Sequence, residues 1–361
     1  MSALGFLIVG PGKVAHTHAQ ALMNLPGARL AAVCGRNEAR TAAFAAEYGA
    51  RPYTDLAAAL NNPEVQAVIL CTPHPLHAQD AVQAARAGKH ILVEKPLAVS
   101  LGDADRMIAA AREAGVKLGV VSQRRLYEPV QRVKAAILAG KVGRPMLGTL
   151  SLLGWRGPEY YAMDAWRGTW AGEGGGVLVN QAVHGLDLLQ WFMGPLVEVS
   201  GAWANLNHPG IEVEDTAVAT LRFAGGALGS VVVSNSQNPG LWGRIHVHGE
   251  NGASVGVQTD GGSSFVAGVT QAVEPPVNDL WTVPGEAHLL PIWQAEDRER
   301  ATRLDVMTHY HRLQIEDFAA AIRGDREPLV PGEEGRRTVE LIEAIYRAGR
   351  EHRVVPLPLG G

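Results

Sequence analysis

The chain has 361 residues, of which 47% are hydrophobic and 19% charged, with 42 glycines and 21 prolines. At roughly 150 residues per domain this length suggests about two domains, each able to bury a core without disulfide or metal staples. Thirty-two basic and 36 acidic residues leave a net charge of −4, which excludes a strongly basic nucleic-acid binder, and Cys34 and Cys71 are too few for a disulfide framework.

No stretch reaches the roughly 18 apolar residues of a membrane span, and the run Ala3–Val9 lacks a basic flank and is too short for a signal core. The expectation is a cytoplasmic protein with no membrane partner. Through residue 121, apolar runs at Leu4–Val9, Leu30–Cys34, Ala67–Cys71, His90–Val93 and Lys117–Val121 alternate with Ala-rich stretches. Those stretches, Ala39–Tyr48, Leu76–Ala87 and Ala104–Ala114, have helical length, and Gly49, Gly88 and Gly115 follow them where helix-ending glycines belong. Strands alternating with helices predict βαβ units, so residues 1–121 are expected to form an α/β, doubly wound parallel sheet of the Rossmann type.

Residues 122–361 have a different texture. A helix is predicted over Glu128–Ala139, and a mostly buried one over Val177–Met193 after Gly174-Gly175-Gly176. Period-2 segments follow: Asp215–Phe223, then Ala227–Ser234 after the turn Ala224-Gly225-Gly226, then Leu241–Gly249. Consecutive strands with short turns predict an open, mainly antiparallel sheet in an α+β domain. Helices over His309–Arg323 and Glu333–Arg350 close the chain.

Gly10-Pro11-Gly12-Lys13-Val14-Ala15 follows the first strand and opens a helix. In a G-x-G-x-x-A loop the first Gly allows the tight turn and the second lets backbone N–H groups approach a pyrophosphate. The alternative is an ordinary strand–helix turn. After the second strand stand Gly35 and Arg36, where an NAD site usually offers an acid to the ribose 2′-hydroxyl. Gly35 would leave room for a 2′-phosphate and Arg36 could bond it, so the cofactor is expected to be NADP or NAD, leaning to NADP. Arg36 as a solvated helix-start residue is the plainer reading.

Thr72, Pro73 and His77 follow the strand Ala67–Cys71, and Glu94-Lys95-Pro96 follows His90–Val93. Both segments lie at carboxyl ends of parallel strands, where open α/β sheets bind ligands. A lysine held there can serve in proton transfer, although spacing alone leaves Lys95 as readily a surface residue. Asn180, His184 and Asp187 fall at i, i+4 and i+7, three polar groups on one face of an apolar helix. A core histidine satisfied by Asp187 is the competing reading. Trp155, Tyr160, Tyr161, Trp166 and Trp170 cluster with Arg156 and Arg167, a set suited to a sugar ring with an anionic substituent, or equally to a loop plug or subunit contact. No acidic or Cys residue clusters in sequence with His74, His77, His246, His248, His309 or His311, so no metal is expected.

Taken in order, the Gly10–Ala15 loop, Thr72-Pro73 with His77, Glu94-Lys95-Pro96, Gly174–Gly176 and His184-x-x-Asp187 resemble the Gfo/Idh/MocA family of glucose–fructose oxidoreductases and inositol dehydrogenases. The resemblance spans nearly the whole chain. It implies a hydride transfer between a nicotinamide cofactor and a sugar, sugar derivative or cyclitol. It also implies Lys95 as catalytic lysine, His184 as acid/base, and Gly10, Pro11, Gly12, Lys13, Val14, Gly35, Arg36, Thr72, Pro73, His77, Glu94 and Lys95 around the cofactor. Substrate would meet Asn180, Tyr161, Trp166, Arg167 and Asp187. Many relatives carry Asp where this chain has Asn180, and Asn cannot accept a proton, so Asn180 would position substrate and the base is either His184 or Lys95. Asp187 would orient His184. Relatives commonly pair through the second sheet, and the weakly charged stretch with Leu228, Val231 and Val233 predicts a homodimer or homotetramer unless residues 256–291 fold across that face. Two other functions remain open: a glycosidase using NAD in a transient oxidation–elimination cycle, and a regulator that senses nucleotide without catalysis.

Overall fold

The computed structural model describes residues 3–241, 243–259 and 275–360. The first part of the chain runs β1 (Leu4–Val9), α1 (Lys13–Met23), β2 (Ala28–Cys34), α2 (Glu38–Tyr48), β3 (Arg51–Tyr53), α3 (Leu56–Leu60) and β4 (Ala67–Leu70). It continues through α4 (His77–Arg86), β5 (His90–Val93), α5 (Leu101–Glu113) and β6 (Leu118–Val120). Then come α6 (Glu128–Leu138), β7 (Pro145–Leu153), α7 (Pro158–Ala162), α8 (Trp170–Glu173), α9 (Val177–Asn180), α10 (Val183–Met193) and β8 (Leu196–Ala204). The remainder is β9 (Thr216–Phe223), β10 (Leu228–Ser234), β11 (Gly243–Gly249), β12 (Ser254–Thr259), β13 (Val277–Trp281), α11 (Leu289–Arg303), α12 (Val306–Gly324), α13 (Gly332–Glu351) and β14 (Val355–Pro356).

The chain divides into two compact units, Met1–Gln123 with Met307–Val339, and Arg124–Val306 with Glu340–Gly361. The sequence expectation drew one boundary at 121/122; in the structure Ile315, Phe318 and Ala319 of α12 lie in the apolar core built by Phe6, Ile8, Ala19 and Leu22. A helix far along the chain can complete an early core because it is amphipathic, and amphipathicity does not say which core it covers.

The first unit holds a six-stranded sheet in the order β3-β2-β1-β4-β5-β6, with every pairing parallel. This is the doubly wound architecture expected. Phe6, Leu7, Ile8, Ile69, Leu70, Ile91 and Leu92 are almost fully buried, because helices cover both faces and leave no polar side to the central strands. The short edge strand β3, Arg51-Pro52-Tyr53, escaped the sequence reading: it is largely exposed and contains a proline, so it carries no apolar run.

The second unit holds an eight-stranded sheet, β13-β12-β11-β7-β10-β9-β8-β14. It is antiparallel except for β7 against β10, which is parallel. In β9 the alternation appears as expected, with Ala217, Ala219, Leu221 and Phe223 buried. In β10 the weakly charged stretch is divided between the two faces of the sheet. Val231 and Val233 point into the core, whereas Leu228 and Val232 face outward with Leu147 and Val218, each 38–49% exposed. Of residues 256–291, the described parts enter β12, β13 and the start of α11; residues 260–274 lie outside the described residues.

The helix expected over Val177–Met193 is interrupted. Ala182 N–H bonds the Val177 carbonyl at 2.8 Å, an i→i−5 closure that widens the turn and separates α9 from α10. The i, i+4, i+7 stripe therefore crosses a break, with Asn180 on α9 and His184 and Asp187 on α10.

Candidate functional site

In the first unit the dinucleotide loop is built for close backbone approach. Gly10 has φ +90°, and a Cβ there would lie 2.8 Å from the Cys71 carbonyl oxygen, so only glycine fits where β1 meets the end of β4. At Gly12 a Cβ would meet nothing closer than 3.8 Å, which leaves the approach to α1 open. No side chain caps α1 and no acid stands in its first turn, so its N-terminal N–H groups keep their positive end for an anion. Lys13 is exposed and Val14 half-buried beside it. At the end of β2 the space imagined beside Gly35 is filled: a Cβ would lie 2.5 Å from Pro11 Cδ and 2.7 Å from Thr41 Oγ1. Gly35 is thus explained by packing. Arg36 is exposed and acts electrostatically on Asp80, which also accepts from Thr72 Oγ1 at 2.9 Å.

The two other strand ends are tied together by His77. Its Nε2 lies 2.9 Å from the Thr72 carbonyl and its Nδ1 3.0 Å from the Pro96 carbonyl, with the ring fully buried. Burial pulls its pKa down while the carbonyl contacts pull it up, with a net lowering. Both ring nitrogens are committed to backbone, so His77 shapes Pro73 and Pro96 loops and offers no nitrogen to a ligand. Glu94 is likewise buried. It accepts from His18 Nε2 at 2.7 Å through Oε1 and from the Lys95 backbone N–H at 3.1 Å through Oε2. Burial alone would raise its carboxyl, but the His18 hydrogen bond and the charges of His18, His311 and Lys95 hold it down at about 2. Lys95 itself is half-buried and joined to Pro96 by a cis peptide.

In the second unit, Asn180 donates through Nδ2 to Glu173 and to Tyr160 Oη at 2.9 Å. Tyr160 Oη also receives Gln181 Nε2 at 3.0 Å and Arg167 Nη1 at 2.5 Å. The Arg167 guanidinium lies 4.4 Å from the Tyr160 ring centre and 4.5 Å from that of Trp166, with Asp164 3.2 Å from its Nε. Burial pushes the Tyr160 phenol up against the opposing Arg167 charge. Tyr161 packs edge-on against Tyr160 and accepts from Asn235 at 3.3 Å. The other tryptophans part company: Trp155 lies against His208, and Trp170 against Trp203 and Tyr346.

His184 and Asp187 are both buried on α10. Both Asp187 oxygens are gripped by Arg125, Nε at 2.9 Å and Nη2 at 2.6 Å, so its principal partner is an arginine 62 residues earlier. Glu214 holds the start of α9, accepting from Gly176 N–H at 2.8 Å, Leu178 N–H at 3.0 Å and Tyr346 Oη at 2.9 Å. A Cβ on Gly176 would lie 1.8 Å from the Glu214 carbonyl oxygen, which explains the last glycine of the run. Burial nevertheless outweighs those donors and raises Glu214 to about 7. Glu173, Gln181, Arg125, Glu214, His18 and His311 were not singled out from sequence as parts of a site. The histidines also have carboxylates near them that local sequence conceals: His246 Nε2 lies 2.9 Å from Asp279, and His311 Nε2 3.8 Å from Glu94.

Residues 4–122 match the description "Oxidoreductase family, NAD-binding Rossmann fold", and residues 130–255 match "GFO/IDH/MocA C-terminal domain". The chain belongs to the Gfo/Idh/MocA oxidoreductase family. It is similar to the WlbA dehydrogenase of Bordetella pertussis, crystallised with NADH and UDP-GlcNAcA: 35% identity over 99% of both chains, with a TM-score of 0.87. It is 32% identical to the oxidoreductase YrbE of Bacillus subtilis over 68% of this chain and 72% of the relative. Over 97% of each chain it is 27% identical to myo-inositol 2-dehydrogenase of Thermotoga maritima. The Rossmann unit is therefore an NAD-binding fold within an oxidoreductase family whose members include sugar and cyclitol dehydrogenases. Among the described residues no helix is long and apolar enough to cross a membrane.

Proposed function

We propose that this Gfo/Idh/MocA protein is an NAD(P)-dependent dehydrogenase of a sugar carrying an acidic group, with nucleotide-linked sugar acids as the leading substrate class. The observation that carries this reading is Arg167, held between the Trp166 and Tyr160 rings and joined through Tyr160 Oη to Asn180. Aromatic faces suit a pyranose and a guanidinium suits a carboxylate or phosphate. The WlbA relative, crystallised with a nucleotide-sugar acid, supports the same class.

Bound nicotinamide supplies the hydride acceptor. The roles left to this chain are binding and proton movement. Gly10–Val14 and the open N-terminus of α1 take the pyrophosphate. Lys95 or His184 takes the hydroxyl proton, Asn180 orients the hydroxyl, and Tyr161, Trp166 and Arg167 hold the ring and its substituent. With Asp187 committed to Arg125, we assign it to fixing α10 and, through that helix, His184.

For the cofactor, NADP(H) is proposed as at least a rival of NAD(H). Arg36 follows β2 at the place where the sequence offers no acid to a ribose 2′-hydroxyl, and Gly35 lends no further support because Pro11 fills its space. The sheet face with Leu147, Val218, Leu228 and Val232 is assigned to self-association in a homodimer or homotetramer.

A screen of nucleotide-sugar acids, free sugar acids, neutral sugars and inositols with NAD⁺ and NADP⁺, read by reduced nicotinamide, tests the reading. Faster reduction with acid-bearing substrates supports it, and a preference for neutral cyclitols contradicts it. Release of an aglycone without net reduction would favour the glycosidase, and binding of cofactor with no turnover would favour the regulator. NADH binding about tenfold tighter than NADPH, or an Arg36→Ala variant with unchanged NADPH affinity, would overturn the cofactor assignment.

A further inference from the structure

Three side chains in the first unit meet: His18 on α1, Glu94 after β5 and His311 on α12. Their ligand-type atoms all lie within 4.8 Å of one another, and all three residues are buried. A cluster of two histidines and a carboxylate invites a metal, but the distances favour a proton. His18 Nε2 and Glu94 Oε1 are 2.7 Å apart, whereas two ligands of one tetrahedral zinc stand about 3.3 Å apart. That separation is a charge-assisted hydrogen bond. It fixes the His18 proton on Nε2 and leaves Nδ1 buried without a hydrogen-bond partner. His311 gives Nδ1 to the Met307 carbonyl at 2.7 Å, which sets its ring so that Nε2 faces Glu94 at 3.8 Å. The two imidazoles also meet edge to face, 5.0 Å between centres.

The other oxygen of the same carboxylate accepts the Lys95 backbone N–H at 3.1 Å. Glu94 thus divides its two oxygens between the histidines and the peptide that carries Lys95. Hydrogen-bonded at both oxygens, the carboxylate links α1 to that peptide, with His311 of α12 facing it at 3.8 Å.

We infer that His18 and His311 are positioning residues for Lys95, acting through Glu94, and that Glu94 serves this network and does not bind cofactor. The inference rests on Lys95 being the catalytic lysine of the proposed dehydrogenase. It adds that the helix carrying the dinucleotide loop also holds the reacting lysine in register. Misplacing a reacting group by about 1 Å can cost on the order of 10²-fold in rate, which is the scale expected when the carboxylate is released.

The test uses the full chain as His18→Ala, His18→Gln, His311→Ala and Glu94→Gln, with kcat, KM, NADH affinity and melting temperature measured for each. His18→Ala is expected to lower kcat about 10- to 100-fold while NADH affinity changes by less than about threefold. His18→Gln, whose amide can still donate to Glu94, should restore kcat to within about threefold of the parent. Unchanged kcat in His18→Ala, or a folded His18→Gln variant as slow as the alanine one, would overturn the inference. A readout independent of substrate separates this from failure of the dehydrogenase reading. In ¹⁵N-imidazole spectra the His18 Nε2 proton should be visible and exchange-protected in the parent and lost in a Glu94→Ala chain, which has no acceptor at that position. If it is absent from the parent, the network is refuted whatever the enzyme does. Zinc titration completes the test: tight one-to-one binding abolished by His18→Ala would make the cluster a metal site and also refute the inference.

Discussion

Replacing Arg125 by Met isolates the worth of the buried Arg125–Asp187 pair. Arg125 is 2% exposed and Asp187 6%, and the two share a bidentate contact at 2.9 and 2.6 Å. Methionine keeps most of the volume, so the change removes charge and hydrogen bonds with little cavity. At about 4 Å between charge centres and an effective dielectric near 20, the lost attraction is about 4 kcal/mol. Breaking a buried pair by deleting one partner typically costs about 3–5 kcal/mol, so the two routes agree. The guanidinium also stacks 5.1 Å from the Trp191 ring centre, which adds roughly 0.5–2 kcal/mol. For a unit of about 200 residues, each kcal/mol moves the melting temperature by about 2–4 °C, so Arg125→Met should melt on the order of 10 °C lower. Urea unfolding followed by near-UV circular dichroism measures the effect, and kcat should fall too because α10 carries His184. The double variant Arg125→Met/Asp187→Leu should regain most of the loss, since no charge then remains buried. A single-variant loss below about 1 kcal/mol with an unchanged m-value would refute the reasoning.

Lys95→Ala and His184→Ala should each lower kcat by about 10²–10⁴ with little change in cofactor affinity, and Asn180→Ala should chiefly raise KM; a His184→Ala enzyme of near-normal rate would leave His184 as a core histidine. Glu214, raised in the folded chain from an ordinary value near 4.5 to about 7, stabilises the fold below pH about 4.5 and loses that contribution as pH rises through 7. Relative to Glu214→Gln, the parent should therefore lose about 3 kcal/mol between these limits, and parallel stability–pH curves would contradict the raised value. Light scattering should give a dimer or tetramer for the parent and a monomer for Val218→Glu/Val232→Glu, whereas a monomeric parent would remove the outward sheet face from the association account.

The parallel sheet and its loop were legible because β1, β4 and β5 are apolar on both faces and the glycines stand where β1 turns into α1. The same reasoning found the buried helix with His184 but not its break, because the widened turn at Ala182 changes no residue type in the apolar pattern. In β10 the alternation was visible, yet which half faces the core depends on the helices above it, and Val231 and Val233 prove buried while Leu228 is exposed. The polar partners were the least legible. Arg125 meets Asp187 across 62 residues and His18 meets Glu94 across 76, separations that no helical or strand period reports. Gly35 is the converse case, where the residue type was noticed and a cofactor reason given, while the close approach of Pro11 accounts for it.

The most direct measurement is a single-turnover reaction of the full chain with NAD⁺, and separately NADP⁺, and a nucleotide-linked sugar acid, followed by the absorbance of reduced nicotinamide and by the mass of the sugar product. A sugar two hydrogens lighter, formed in step with reduced cofactor and suppressed by about 10²-fold or more in Lys95→Ala, is the predicted result. Reduction that proceeds equally in Lys95→Ala, or no reduction with any sugar acid while neutral sugars or cyclitols are oxidised, would contradict it.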